Sequence, residues 1–133
     1  MKKYKSVNRN PEIEIPKRSD IWYANLEPTK GDEIQSRKGP RPVLILSSNA
    51  LHDLRLKLVI PLTGWKSHFK DKLYHVKIKP DKQNNLKKTS SISALHLRSI
   101  STDRFGTYLG RISVDLMEQV LDAVGFVVEM EFE

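Results

Sequence analysis

Between Asp20 and Ser48 two short apolar runs, DIWYANL and RPVLILSS, flank the polar stretch EPTKGDEIQSRKGP. That order limits the possible fold more than any other feature of the chain. Ile21, Tyr23 and Asn25 alternate with Trp22, Ala24 and Leu26, the period of a strand buried on at least one face. Val43 to Leu46 is apolar on both faces and reads as a central strand. The connection between them carries Gly31 and Gly39, and Arg41-Pro42 stands where loop becomes strand again. A guanidinium fixed at the root of a loop is well placed to bind a phosphate, because the sheet supplies position and the loop supplies access.

The rest of the chain repeats the pattern. Asn49 to Leu54 suits one helical turn, and Leu56 to Leu62 is a third strand ending at Thr63-Gly64. Tyr74 to Ile78 alternates as a fourth, with His75, Lys77 and Lys79 on the opposite face, and PDKQNNLKKTSS after it is turn chemistry. Ile92 to Ile100 reads as a fifth strand and Thr107 to Ile112 as a sixth. Ser113 is a good helix N-cap with Asp115 favourable in the first turn. Behind it Leu116, Met117, Val120, Leu121 and Val124 recur at three- and four-residue intervals. The expectation is an α+β domain: a small curled sheet or partly open β-barrel of about five to seven strands, with a C-terminal helix covering one face.

At 133 residues the chain fits one compact domain. Residues 1–16, with two prolines and several lysines, read as a loosely held extension, in which the alternation at Glu12 to Ile15 suggests a short edge strand. Residues 17–133 read as a single domain. No run approaches the ~18 apolar residues of a membrane span, and the basic N-terminus lacks the apolar stretch of a secretory signal. The absence of cysteine excludes disulfides and thiolate metal sites and fits a reducing cytoplasm. Four scattered histidines without paired spacing predict neither a metal nor another cofactor. The net charge of +7, from 23 basic and 16 acidic residues, fits a polyanionic partner and equally a merely soluble basic surface.

Arg41 is the leading candidate, either as a phosphate ligand and catalytic cation or as the partner of a nearby acid such as Glu33. Thr63 closes the strand-like run LVIPLT, and a neighbouring strand can bring its hydroxyl beside Arg41. Together a hydroxyl and a guanidinium can hold a phosphoryl oxygen. His96 has the natural pKa, about 6.5, of a proton carrier, although a histidine on a groove wall is the simpler reading. His75 reads as surface, and His52 and His68 lie in connections. Lys66, Lys70, Lys72, Lys77, Lys79, Lys82, Lys87 and Lys88 form either a backbone track for RNA or a solvated surface. Trp65 and Phe69 interleave with the first of these lysines, and an exposed aromatic there can stack on a base. Trp22 reads as core.

Five elements then occur in order: R-x-D-I-W (Arg18, Asp20 to Trp22), N-L-x-P-T-x-G-x-E (Asn25 to Glu33), R-P-V-L-I-L (Arg41 to Leu46), P-L-T (Pro61 to Thr63) and L-R-S-I (Leu97 to Ile100). Together, over about Lys17 to Phe126, they resemble the MazF/PemK family of toxin endoribonucleases. The resemblance implies an SH3-like barrel that dimerises and cuts single-stranded RNA at short sequences by metal-independent attack of the ribose 2′-hydroxyl. It implies catalytic roles for Arg41 and Thr63, with Glu33 shaping the loop or orienting Arg41. Arg98 would line the dimer interface and RNA groove, with His96, Lys66 and Trp65 as further RNA contacts. An acidic antitoxin whose tail enters the groove is the implied protein partner. Three departures stand out. Arg18-Ser19-Asp20 replaces the Arg-Gly-Asp of many members, His96 replaces a frequent glutamine, and Gly31-Asp32-Glu33-Ile34 replaces Gly-x-Glu-Gln. The alternatives are a non-catalytic gyrase inhibitor of the same fold, resembling CcdB, and an RNA-binding barrel without activity.

Overall fold

A computed structural model of the chain describes residues 15–131, so the expected extension and its edge strand fall almost wholly outside the described residues. The described strands are β1 (Asp20–Ala24), β2 (Arg41–Ile45), β3 (Leu56–Gly64), β4 (His75–Ile78), β5 (Ser90–Ser93), β6 (Arg98–Ser101) and β7 (Phe105–Arg111). They are followed by one helix, α1 (Val114–Val127). All pairings are antiparallel. The strand order is β4-β5-β3-β2-β1-β7, with β6 paired to the first half of β3. The sheet curls without closing, as the strand pattern predicts.

Strand β3 organises the curl. Its nine residues pair with β6 from Leu56 to Val59 and with β5 from Leu62 to Gly64. The run from Ile92 to Ile100, expected as one strand, is therefore two. A 3₁₀ turn at Ala94–His96 separates β5 from β6 as their shared partner passes from one part of the sheet to the other. Ala94 is buried in that turn, and His96 ends it.

Both faces of the central strands are buried, which is why Val43 to Leu46 lacks polar alternation. One core gathers Ile21, Leu44, Ile60, Leu62 and Ile92 beneath Met117, Val120 and Ala123 of α1. The other gathers Trp22, Val43, Ile45, Val59 and Phe105 inside the curl. Trp22 meets Tyr108 edge-on at 5.7 Å. Burying each of these large apolar side chains contributes about 1.5–3 kcal/mol. Ser113 caps α1, its Oγ accepting the Leu116 N–H at 3.1 Å. The buried stripe is narrower than the periodicity suggests, since Leu121 remains exposed.

Asp20 fixes the start of β1. Its carboxylate accepts the Lys17 N–H at 2.9 Å, the Trp22 indole N–H at 3.2 Å and the Arg111 guanidinium at 2.7 Å. Burial pushes its carboxyl above the usual 3.8 despite those partners. Just before it Ser19 adopts φ +75°, the left-handed conformation that a glycine takes without strain. The serine that departs from Arg-Gly-Asp therefore keeps a backbone shape suited to glycine. Among the described residues no helix is long and apolar enough to cross a membrane.

Candidate active site

Arg41 is the first residue of β2, and Thr63 stands one residue before the end of β3. Val43 pairs with Pro61, so two residues further along the ladder Arg41 faces Thr63. In an antiparallel pair such opposite residues project from the same face of the sheet. Arg41 is half-buried and held at two points. Its Nε donates to the Gln35 carbonyl at 2.6 Å and its Nη1 to the Leu62 carbonyl at 3.2 Å. Among the described residues it forms no ion pair, so the pairing with Glu33 considered from the sequence does not occur.

Arg41 and Thr63 line one cavity of about 570 Å³, together with Arg37, Lys38 and Lys88. Among the described residues this lining contains four cationic side chains and no carboxylate. Gly64 admits the Lys88 chain closely: a β-carbon there would lie 3.4 Å from Nζ. Lys88 is thus the member of the long lysine series that lines this cavity with Arg41 and Thr63, which spacing in the sequence could not single out. A guanidinium, a hydroxyl and an ammonium lining one cavity without a competing acid are chemically able to hold a phosphoryl group.

The loop between β1 and β2 is tied down rather than free. Glu27 is its hub, accepting from Ser36 N at 2.7 Å, from Thr29 Oγ1 at 3.0 Å and from Arg37 Nε at 3.4 Å. These bonds, the Ser36 amide first, hold its carboxyl below the usual 4.5. Ser36 Oγ accepts the buried Leu26 N–H at 2.7 Å, and Arg104 reaches in to the carbonyls of Asn25 and Glu27. Glu33, the glutamate singled out by motif, is exposed at the loop tip and accepts the Lys30 N–H at 3.1 Å. Its contact shapes a turn, whereas the Arg41 guanidinium takes its orientation from carbonyls. Gly31 and Gly39 have φ of +58° and +129°, conformations that account for glycine at both positions.

Beyond Thr63 a second cavity, of about 550 Å³, holds three of the expected RNA contacts, Trp65, Lys66 and His96. Thr63 and Lys88 border both cavities. His75 also lines the second one, contrary to the surface position expected for it. Its ring stacks on Phe69 with centroids 3.7 Å apart and planes 9° apart, and Nδ1 lies 2.7 Å from Ser91 Oγ. Burial first, then the neighbouring His96, His68 and Lys72 charges, push His75 below the usual 6.5. Burial does the same to His96, against the opposing pull of Asp32. Arg98, half-buried at the start of β6 beside Val59, lines neither cavity. Among the described residues no three His, Asp or Glu side chains are grouped to hold a metal ion.

Comparison with known proteins identifies the family and the fold. A sequence model of the family described as PemK-like, MazF-like toxin of type II toxin-antitoxin system matches residues 17–128. The chain is 41% identical to the Endoribonuclease PemK of Escherichia coli over 59 residues, which are 44% of this chain. It spans only 40% of the length of that curated relative. The fold is similar to a mycobacterial endoribonuclease solved with its cognate antitoxin, with TM-score 0.70 and 20% identity over 89% of this chain and 99% of that one. It is also similar to MazF from Deinococcus radiodurans, with TM-score 0.69 and 24% identity over 87% and 98%. At such identities these solved structures speak for the fold alone.

Proposed function

This chain belongs to the PemK-like, MazF-like toxin family of type II toxin-antitoxin systems, and on that premise we propose that it is an endoribonuclease cutting single-stranded RNA at short sequences in the cytoplasm. The observation that carries the reading is the cavity where Arg41 and Thr63 converge among further cations. RNA brings its own nucleophile, so the protein need only orient it and stabilise charge. The 2′-oxygen attacks phosphorus as its proton passes to solvent; the bond to the 5′-oxygen breaks and that oxygen takes a proton from solvent, leaving a 2′,3′-cyclic phosphate and a 5′-hydroxyl. Thr63 holds a phosphoryl oxygen. Arg41 stabilises the crowded phosphorane and hydrogen-bonds the leaving oxygen, a role that fits a permanently charged guanidinium better than proton abstraction does. No step requires a metal. Unpaired RNA is the substrate class because bases must leave a stack before side chains reach their edges.

The acting unit in this reading is a homodimer. On the first half of β3 the exposure pattern is inverted: Lys57 is 4% exposed while Leu56 and Leu58 are 56% and 43% exposed, with Leu51 and Leu54 also open. Four exposed leucines on one short segment offer apolar surface suited to a second copy. Arg98, across the ladder from Val59, stands at its margin. The cationic cavity suits the acidic tail of an antitoxin, which would exclude RNA by occupying Arg41, Lys38 and Lys88.

Incubating the protein with a long unstructured RNA in a chelator and mapping the new ends tests the reading. Cuts at defined short motifs, abolished in Arg41→Ala and in Thr63→Ala, are expected. Intact RNA, or cutting that persists in both variants, refutes it. The family assignment favours the nuclease over gyrase inhibition, and a parallel supercoiling assay is expected to show no effect.

A further inference from the structure

The second cavity holds an arrangement that phosphate chemistry leaves unused. Phe69 and His75 form a parallel pair, and Trp65 stands at right angles to both, 5.6 Å from Phe69 at 85° and 6.4 Å from His75 at 86°. His68 closes edge-on against Phe69 at 4.7 Å. The result is two aromatic walls meeting in a corner. A flat base laid against either wall meets the other edge-on, and stacked and edge-on contacts are both favoured between aromatic rings.

The walls are braced from outside. Ser91, fully buried on β5, holds His75 through Nδ1. Lys77 Nζ lies 5.3 Å from the Trp65 ring centroid, and it lines the neighbouring cavity against α1 rather than this one. Polar edges are also at hand, since His96 and Ser93 line the same space. Position supplies the remaining constraint. Thr63 and Lys88 border both cavities, so a phosphate held at Arg41 and Thr63 leaves its neighbouring nucleotide at the mouth of the aromatic corner.

We propose that the corner formed by Trp65, Phe69 and His75 is a nucleobase subsite, taking one unstacked base of a nucleotide adjoining the scissile phosphate, with His96 at its polar edge. This rests on the endoribonuclease reading and deepens it by locating one point of base discrimination. The Phe69–His75 pair is also what turns the segment after β3 from a plain connection into a wall.

The test uses the full chain, cleavage mapping on a randomised RNA pool, and RNAs made abasic at single positions around the cut. In the wild type one abasic position is expected to slow cleavage about 5- to 150-fold, the value of one base–aromatic stack. Phe69→Leu, which keeps apolar volume, and Trp65→Leu are each expected to erase most of that penalty and to relax base preference at the same position. Unchanged preference and undiminished penalties in both folded variants overturn the subsite while leaving the nuclease reading intact. Should the wild type cut no RNA, that reading fails, and the subsite is decided by fluorescence titration with the four nucleoside 5′-monophosphates. Quenching that weakens at least about fivefold in Phe69→Leu supports the subsite. No quenching by any of the four overturns it.

Discussion

Arg41→Lys separates positive charge from fork geometry at the candidate active site. A guanidinium carries five N–H donors. Nε is engaged by Gln35 and one hydrogen of Nη1 by Leu62, which leaves three donors for the cavity, already aimed by the two that are held. Lysine has three donors on a single nitrogen. It cannot satisfy both carbonyls and still present a fixed pair of N–H groups to a phosphoryl oxygen. Loss of a preorganised donor to developing charge costs about 2.7–4 kcal/mol, or about 10²–10³ in kcat. The retained charge should keep KM within about threefold, because ground-state attraction to the phosphate survives. The vacated carbonyls should cost the fold about 1–2 kcal/mol. Saturation kinetics on a labelled single-stranded RNA in EDTA, with urea melts alongside, measure all three quantities. A variant with kcat within about threefold of wild type would show that a point charge suffices and that the two carbonyl anchors are irrelevant to catalysis.

Ser19→Gly should stabilise the protein by about 0.5–1 kcal/mol: the left-handed φ costs a serine about 1–2 kcal/mol, and glycine's greater freedom when unfolded offsets part of the relief. A lowered Tm would contradict this. Gly110→Ala should cost about 3 kcal/mol or more, because its β-carbon would overlap the Gln83 carbonyl oxygen and sit 2.6 Å from that of Asn84, displacing the loop that binds Arg111 N at 3.0 Å. Gly106→Ala, whose nearest contact is 3.7 Å from the Tyr23 carbonyl, should stay within about 1 kcal/mol of wild type in the same denaturant series. Stability should also fall as pH drops from 7.5 to 5.5. His75 and His96 are held below 6.5 in the fold, so the unfolded chain binds their protons first. The pH dependence of the urea midpoint should flatten over that window in His75→Gln/His96→Gln, and an unchanged slope would refute it.

Period-two alternation and turn residues placed most strands to within a residue or two, and the serine cap placed the helix. That Arg41 and Thr63 lie side by side was legible for the same reason. Each sits at the end of an apolar run, and the ends of adjacent antiparallel strands must come together. What alternation could not show was the break at Ala94–His96. Ile92 and Ile100 both face buried positions, and nothing local says that β3 changes partners between them. The two glutamates of the first loop make the same point. Motif spacing favours Glu33, whose contact is three residues away in sequence, while Glu27 holds Ser36 nine residues on. Bonds of that span depend on how the whole loop folds back, which no window of sequence contains.

His75 is the instructive miss, because its own strand alternates faultlessly and puts it on the polar side with Lys77. The polar side of β4 is surface only where nothing covers it. The chain from Trp65 to Phe69 returns across that face, so the same periodicity that implies solvent for His75 delivers it to an aromatic ring. Strand periodicity therefore identifies which residues share a face, and only the path of the following loop decides whether that face meets water or a ligand. In this fold the pair proposed to bind phosphate belongs to strand ends, whose proximity follows from alternation. The corner proposed to bind a base belongs to a returning loop, whose path no strand period foretells.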